Sequence, residues 1–433
     1  MKTVHVIGAG LAGSEAAYQL AKRDYRVILH EMRPSTHTEA HATDKFAELV
    51  CSNSFKNESL LNAKGLLKAE MRAFDSLILK AAKATRLDAG KALAVDREGF
   101  SRYVTDTLTA MENIVVQREE VKEIPGAPTI VATGPLTSSA LQTQIENLLG
   151  EDSLFFFDAM APIIAKDSID MDVCYKKNRW EDDAEGDYIN CPMDKDQYQA
   201  FYDALKEADT ATLRSFETHI FEGCMPVEFM ARRGMDTLRF GPLRPVGLRK
   251  DPTHKPYAVV QLRQDNAAET LYNLVGFQTR LKYGEQKRLV RMIPGLEHAE
   301  IVRYGQMHRN TYLPSPKILN QGFQMKTIPS LFFAGQITGV EGYTESAASG
   351  LMAALSMDRH LQGLSVLHFP RETMLGALAY YVSHANPQDF QPMNANLGIL
   401  PSPEEKMKKD QKREFYKERA LNTLKTFKEA LDA

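Results

Sequence analysis

The first 31 residues carry the feature that most restricts how this chain can fold. An apolar run at residues 4–7 leads into VIGAGLAGSEAAYQLAKR, and a second apolar run then ends at an acid. A strand, a glycine turn, a helix and an acid-terminated strand form the dinucleotide-binding arrangement, in which backbone N–H groups approach a pyrophosphate and the acid accepts ribose hydroxyls. The residues predicted to bind a nucleotide cofactor are Gly8, Ala9, Gly10, Leu11, Ala12, Gly13 and Glu31. A glycine-rich turn in a domain that binds nothing is the alternative, and the complete context disfavours it.

Two later segments repeat the step from a buried strand into a glycine turn. They are PTIVATGPLTSS at 128–139, which contains Gly134, and SLFFAGQITGVEGYTESAASGLMAAL at 330–355. Three such elements spread over this length predict one nucleotide domain interrupted by an insertion, and they favour a long ligand such as FAD. Because no second GxGxxG occurs, NADPH or NADH is expected to reach the flavin without a Rossmann unit of its own.

The predicted fold class is α/β, with a Rossmann-like FAD-binding domain of the glutathione-reductase type. A chain of 433 residues usually holds more than one compact core. We assign 1–150 and 326–400 to the FAD-binding domain, 151–325 to an inserted α+β domain that faces the substrate, and 401–433 to a C-terminal helix. The mixed charges of this tail predict a helix surrounded by solvent.

Composition excludes several classes of protein. The net charge of −3 means that contacts to nucleic acid must come from local basic patches. No apolar run approaches the roughly 20 residues of a spanning helix, and the glycine turn comes too early for a signal peptide. A cytoplasmic protein without membrane or DNA contacts is therefore expected. The cysteines at 51, 174, 191 and 224 lack metal-ligand spacing, so we expect reduced thiols and no metal site.

Two stretches in the middle of the chain are basic. Residues 231–250 contain six Lys or Arg against one Asp, and residues 280–291 contain five against one Glu. Charge runs are usually solvated surfaces, but phosphate contacts are the functional alternative. The candidates for RNA phosphates are Arg232, Arg233, Arg239, Arg244, Arg280, Lys282, Lys287 and Arg288.

Two cysteines lie in polar, turn-like segments where a thiol would be accessible. They are Cys51 in ELVCSNS and Cys224 in FEGCMP. Most cysteines are inert small hydrophobes, and this is how we interpret Cys174 and Cys191. Positive charge from Arg232 and Arg233 would favour a Cys224 thiolate if they are close in space. From its residues alone the chain is an FAD protein with an inserted domain and two candidate thiols, and its substrate stays undetermined.

Longer strings resemble a known family from end to end. The strings include HEMRP, TDKFAELVCSNS, FEGCMPVE, PYAVVQLRQD, FFAGQITGVEGYTESAASGL and FQPMNANLGIL. The chain resembles the folate- and FAD-dependent tRNA (uracil-5-)-methyltransferases, which are related to the GidA-type tRNA-modifying flavoproteins. The resemblance implies formation of 5-methyluridine in the T-loop of the tRNA T-arm. It also implies that 5,10-methylenetetrahydrofolate supplies the carbon and that NADPH or NADH reduces the FAD.

The resemblance also implies roles for individual residues. Carbon 5 of uracil becomes nucleophilic when a thiolate adds at carbon 6, and a base must then remove the carbon 5 proton. By similarity Cys224 is the nucleophile, and Cys51 fills the partner role as the base that takes the carbon 5 proton. Gly335 and Gln336 match a second flavin-contacting turn. Tyr343 matches an aromatic residue near the flavin ring, although a core tyrosine is its alternative.

Three other functions stay open. The same chemistry on a ribosomal RNA uridine has identical catalytic motifs. A small-molecule FAD oxidoreductase would have paired redox cysteines or a second GxGxxG, and the sequence has neither. A flavin-binding RNA chaperone predicts that alanine at either loop cysteine leaves function intact. The residues that bind folate and NAD(P)H are not identified by the motifs.

Overall fold

The computed structural model describes most of the chain. The described residues are 1–38, 40–150, 154–159, 161–180, 186–210, 225–250, 255–305, 307–388 and 390–432, with only the backbone described at 154–159, 307–310 and 432. The strands are β1 (Thr3–Ile7), β2 (Arg26–His30), β3 (Ser54–Asn57), β4 (Arg86–Leu87), β5 (Ala92–Val95), β6 (Ile114–Gln117), β7 (Thr129–Val131), β8 (Leu154–Ala159), β9 (Ile163–Ala165), β10 (Tyr175–Lys176), β11 (Tyr188–Met193), β12 (Ala258–Gln264), β13 (Leu271–Leu274), β14 (Ile301–Arg303), β15 (Met307–Tyr312) and β16 (Leu331–Phe333). The helices are α1 (Leu11–Ala21), α2 (Ala63–Ala73), α3 (Leu77–Ala84), α4 (Arg97–Thr109), α5 (Ser139–Leu149), α6 (Lys195–Glu207), α7 (Val227–Arg232), α8 (Met235–Phe240), α9 (Tyr283–Val290), α10 (Ser315–Ile318), α11 (Tyr343–Leu361), α12 (Met374–His384) and α13 (Lys409–Asp432).

A parallel sheet in the order β16-β7-β1-β2-β6 forms the nucleotide-binding core. Its strands are short apolar runs, and β7 and β16 are buried along their whole length, which is typical of parallel sheets. The strands predicted near residues 4–7, 26–31, 128–139 and 330–333 are all present. The last two, β7 and β16, pair with each other, and β7 also pairs with β1, so the three strand–glycine elements meet at one edge, as the fold-class prediction requires.

Helix α11 packs directly on α1 and joins the second glycine turn to the first. A Cβ atom on Gly350 would lie 2.1 Å from the carbonyl oxygen of Ala12, so only glycine permits this helix separation. The small residues that precede it in GYTESAASG serve the same close packing. The chain after residue 330 is thereby brought back to the N-terminal turn.

A second, antiparallel sheet lies between β8 and β15 in the sequence. Its order is β10-β11-β12-β13-β9-β14, and it packs on α6 and α9 around a hydrophobic cluster of its own. Strands β8 and β15 pair with each other, so the chain leads into and out of this part at one place. The combination of a parallel core with an α+β insertion confirms the predicted fold class.

The C-terminal helix α13 confirms the predicted helix but not its predicted solvation. Tyr416, Ala420 and Leu424 are buried in the main hydrophobic core. Their spacing of four residues places them on one face of the helix. The ring of Phe427 lies 5.1 Å from that of Phe369. The expectation of a solvated helix was therefore wrong. The apolar stripe was missed in the sequence because charged residues on the other faces of the helix dominate the composition of the tail.

Within the part of the chain that the structure describes, no helix is both long and apolar enough to cross a bilayer. Across the same described ranges, no group of three or more His, Cys, Asp or Glu side chains is arranged to hold a metal ion.

Candidate functional site

The first glycine turn exposes the N-terminus of α1. The N–H of Gly8 donates to the carbonyl of His30 at 2.8 Å, and this bond fixes the turn between β1 and β2. Gly10 is the N-cap residue of α1 and no side chain caps the helix there. The first N–H groups of a helix have no partner within it, and they attract anions. A Cβ on Gly10 would have no atom within 4 Å, so the space above this turn is open.

Glu31 follows β2 directly and lines the site beside the first glycine turn. Its carboxylate accepts hydrogen bonds from the N–H of Ala9 at 3.1 Å and from Nε of Arg33 at 2.8 Å. Burial by itself raises the pKa of Glu31, but the hydrogen bonds and charge of Arg33 and the backbone donors outweigh it and lower that pKa. The side chain is therefore an ionised acceptor at neutral pH, as a ribose-binding acid must be.

A cleft joins these elements. It lies at the carboxyl ends of β1, β2 and β7, which is where open parallel sheets bind ligands. Its lining includes Gly8, Gly10, Glu31 and Thr133. Gly134 follows Thr133 with a φ of +69°, a backbone conformation that glycine adopts without strain. The open N–H groups at the N-terminus of α1 fit the diphosphate of FAD, and the ionised carboxylate of Glu31 beside them fits one of its ribose groups.

The second glycine turn adjoins the first. The N–H of Gly335 donates to Oγ of Ser349 at 2.7 Å, and a Cβ on Gly335 would lie 3.0 Å from that of Ala12. Gln336 begins a short 3-10 helix and its amide donates to Glu341. The two turns thus form one continuous surface, which suits a ligand longer than a mononucleotide.

The structure brings Cys51 to the second turn. The N–H of Cys51 donates to the hydroxyl of Tyr343 at 2.8 Å, across a sequence separation of 292 residues. Tyr343 is the first residue of α11, and its ring centre lies 5.7 Å from that of Phe55. Cys51 is half-buried. Two residues singled out from separate motifs therefore meet, although their chemical roles stay predictions.

Two arginines surround the Cys51 loop, of which Arg263 is buried and Arg97 half-buried, and the sequence motifs did not identify them. Nη2 of Arg97 donates to the carbonyl of Cys51 at 2.8 Å, and its Nε pairs with Asp265 at 2.8 Å. Nε of Arg263 donates to Asn53 at 3.0 Å. Both guanidinium groups interact electrostatically with the Cys51 thiol. Although burial lowers the pKa of Arg97, the charge of Asp265 and its hydrogen bonds raise it overall. Positive charge of this kind favours a thiolate.

The pair of Arg97 with Asp265 leads to a stability prediction. Arg97→Met leaves the carboxylate of Asp265 buried without its cation, and breaking a buried pair in this way costs about 3–5 kcal/mol. We expect urea unfolding to show that loss. Arg97→Met combined with Asp265→Leu should recover most of it.

A matched control lies one turn further along α4. Arg102 pairs with Glu98 on the surface, where both side chains are mostly exposed. Because exposed pairs contribute about 0–1 kcal/mol, Arg102→Met should unfold almost like the wild type. Equal stability of Arg97→Met and Arg102→Met would contradict a structural role for the buried pair.

Of the other three cysteines, the structure describes two. Cys224 lies outside the described residues, so its prediction as nucleophile stays a prediction. Cys174 and Cys191 are buried with their sulfur atoms 3.2 Å apart, and no disulfide joins the three cysteines that are described. Their burial agrees with the interpretation of these two as structural residues.

The basic candidates divide by exposure. Those on the surface are Arg232, Arg233, Arg244, Lys282, Lys287 and Arg288, of which Lys282 pairs with Asp209 and Arg288 with Glu285. Arg239 is half-buried, with its guanidinium stacked 3.7 Å from the centre of the Tyr257 ring.

Arg280 does not fit its predicted contact with RNA phosphates. It is 6% exposed, and its guanidinium lies 4.6 Å from the centre of the Phe229 ring. Its backbone N–H donates to the buried carboxylate of Glu228 at 3.0 Å. We assign this residue to the interior of the insertion, because a phosphate could not reach the guanidinium without unpacking it.

The chain is similar to proteins of one bacterial family along nearly its whole length. The family model described as glucose inhibited division protein A matches residues 3–365. A protein of Staphylococcus carnosus is 57% identical over 432 residues, covering 99% of both chains. One of Anoxybacillus flavithermus is 58% identical over 428 residues, covering 98% of this chain and 99% of the relative. Both relatives carry the name methylenetetrahydrofolate–tRNA-(uracil-5-)-methyltransferase TrmFO.

Solved structures extend the likeness to the fold. The Aquifex aeolicus GidA structure in its form II crystal superposes with a TM-score of 0.68 at 16% identity, covering 99% of this chain and 75% of that one. The form I crystal of the same protein gives a TM-score of 0.68 at 17% identity, covering 99% and 78%. At such low identity the likeness concerns the fold alone.

Proposed function

The chain belongs to the glucose inhibited division protein A family and, within it, to the methylenetetrahydrofolate–tRNA-(uracil-5-)-methyltransferases, and we propose that it methylates carbon 5 of a uridine in tRNA. The observation that carries this proposal is 57% identity over 99% of both chains. Methylenetetrahydrofolate, which the relatives' name contains, is the one-carbon donor. FAD is the cofactor, since the open turn above α1 and the ionised Glu31 fit it.

The finer assignments rest on the motifs. We propose that the target is a uridine of the T-loop, that the product is 5-methyluridine, and that NADPH or NADH reduces the flavin. Because its bases are part of a folded loop, the target uridine must be turned out of the loop to reach the site. A tRNA substrate also supports a cytoplasmic location.

In this proposal the two glycine turns bind different parts of the cofactor. Residues Gly8 to Gly13 and Glu31 would hold the diphosphate and a ribose, and Gly335, Gln336 and Tyr343 would lie toward the flavin ring. When bound, FAD supplies a carrier for the one-carbon unit and the hydride that completes the methyl group. The chain has to bring the uridine and its proton acceptor to that ring.

Cys51 is the proton acceptor in this proposal. The N–H of Cys51 donates to the hydroxyl of Tyr343, and its carbonyl accepts from Arg97. These two bonds fix the position of the backbone that carries the thiol. The nearby charges of Arg97 and Arg263 favour the thiolate, which is the form able to accept a proton. The Cys224 thiolate bonds to carbon 6 and makes carbon 5 nucleophilic, and carbon 5 then bonds to the one-carbon unit. The proton still held by carbon 5 passes to the Cys51 sulfur. The carbon 6–sulfur bond then breaks and releases the product.

Transfer of labelled carbon from methylenetetrahydrofolate to an unmodified tRNA transcript tests the proposal. We expect label in 5-methyluridine, dependent on NADPH or NADH, and none when labelled S-adenosylmethionine is the only donor. A transcript with cytidine at the T-loop target position is the matched control and should stay unlabelled. Label in ribosomal RNA but not in tRNA would transfer the proposal to the ribosomal substrate.

A further inference from the structure

A groove opens at one end of the antiparallel sheet, around an exposed phenylalanine. Phe240 is 79% exposed, and Val246 beside it is 41% exposed. The side chains that line the groove and carry charge are Lys195, Arg239, Arg244, Lys255 and Asp194. A large apolar ring at the surface within a rim of charged groups is typical of an interaction site.

Phe240 is held outward by a fixed framework. It is the last residue of α8, and the next turn is tied by the N–H of Leu243, which donates to Leu238 at 2.9 Å. Leu243 in turn accepts from Val259 at 3.1 Å, which anchors the turn to β12. The guanidinium of Arg179 donates to the carbonyls of Arg244 and Val246, both at 2.7 Å. The loop that bears Val246 is thereby fastened, so the exposed surface is built into the fold.

The charge of the groove indicates an anionic partner. Four of its five charged side chains are basic. The carboxylate of the acidic one, Asp194, caps α6 by accepting the N–H of Gln197 at 2.8 Å. Basic groups beside an exposed aromatic ring are what proteins use to bind unpaired nucleotides, because phosphates meet the cations while a base stacks on the ring.

Strand β12 links this groove to Cys51. Its first residue follows Tyr257, which lines the groove. At its other end Gln264 accepts the Asn53 amide at 2.8 Å, and the next residue, Asp265, pairs with Arg97. Six residue steps at about 3.3 Å each separate the ends of the strand by about 20 Å. A ligand that occupies both ends must be an extended polymer.

We propose that Phe240 stacks on an unpaired base of the substrate RNA while Arg244 and Lys255 contact its phosphates, with the target uridine at Cys51. This site rests on the proposed function and deepens it. It gives the enzyme a second contact on the RNA, about 20 Å from the reacting base by the length of β12. Because the contact is remote from the chemistry, it acts on RNA affinity.

The test measures the dissociation constant of an unmodified tRNA transcript for the flavin-loaded protein by filter binding. Stacking of one base contributes enough that Phe240→Ala should weaken binding by about 5- to 150-fold. Phe240→Tyr keeps a ring and should bind like the wild type. Tyr103→Ala removes an exposed aromatic side chain from α4 and is the matched control, with no expected change.

The salt dependence of RNA binding distinguishes the contribution of the Phe240 ring from that of the basic side chains. Arg244→Gln should reduce the slope of log Kd against log salt by about one, whereas Phe240→Ala should leave the slope unchanged. Wild-type affinity for Phe240→Ala would overturn the stacking site, as would equal losses for the alanine and tyrosine variants. A change in sedimentation instead of RNA affinity would assign the ring to a protein contact and overturn it too. If the wild type binds tRNA without methylating it, the proposed function fails and the stacking site survives.

Discussion

Gly13→Ala is expected to prevent formation of the nucleotide-binding domain and to yield protein without flavin. A Cβ at this position would lie 1.8 Å from the carbonyl oxygen of Gly8 and 3.0 Å from its carbon. Both are backbone atoms between β1 and α1, so no change of rotamer relieves the contact. Flavin absorbance per mole of purified protein and far-ultraviolet circular dichroism measure the two effects. The wild type should be yellow.

Gly10→Ala is the matched variant and should separate binding from folding. Gly10 has a φ of −71°, which alanine adopts, and its Cβ would meet no protein atom within 4 Å. In this motif the middle glycine allows the backbone to approach the diphosphate. Losing one hydrogen bond to that charged group, about 1.5–3 kcal/mol, weakens FAD binding by about 10- to 150-fold. Normal flavin affinity in folded Gly10→Ala protein would place the cofactor elsewhere.

The second large effect concerns the two loop cysteines. Cys224→Ala and Cys51→Ala should each abolish measurable methylation of tRNA, and loss of general base catalysis accounts for about 10²–10⁴-fold in the case of Cys51. RNA that carries 5-fluorouridine distinguishes the two roles. Fluorine cannot leave carbon 5 as a proton does, so the adduct at carbon 6 persists. Denaturing gels should show this adduct for Cys51→Ala and not for Cys224→Ala.

The opposite pattern of trapping would exchange the two roles, and trapping by both variants would exclude both as nucleophile. Cys174→Ala is the control, because Cys174 is buried beside Cys191 in the insertion. It should form the adduct and methylate tRNA. Methylation that survives removal of both loop thiols would end the thiolate mechanism.

Local features of the chain were predictable from the sequence. The turn from β1 into α1 and the acid after β2 depend on residues within about 30 positions of each other, and the motif prescribes their geometry. The strands beginning at Thr129 and Leu331 were recognisable because their apolar runs end at glycines. These elements gave the fold class and the candidate FAD site.

Contacts between distant segments were not predictable in the same way. Arg97 and Asp265 are 168 residues apart, and nothing in either segment specifies its partner. The available signal was a charged residue close behind a buried strand, Arg97 two positions after β5 and Asp265 directly after β12, but charged residues are usually exposed. Arg280 shows the same difficulty, because its burial depends on Phe229 and Glu228. A basic run does not reveal which of its members point inward.

The pairing of β8 with β15 makes the segment between them a cassette with adjoining ends. Its two chain connections lie side by side, so a different insertion could be grafted there without rethreading the flavin-binding core. In such a chimaera the glycine turns and Cys51 would stay with the core, whereas Cys224, Arg263, Asp265 and the surface around Phe240 would come from the donor. Under the proposed function, exchange of this one unit would replace the RNA contacts at Cys224 and Phe240 together.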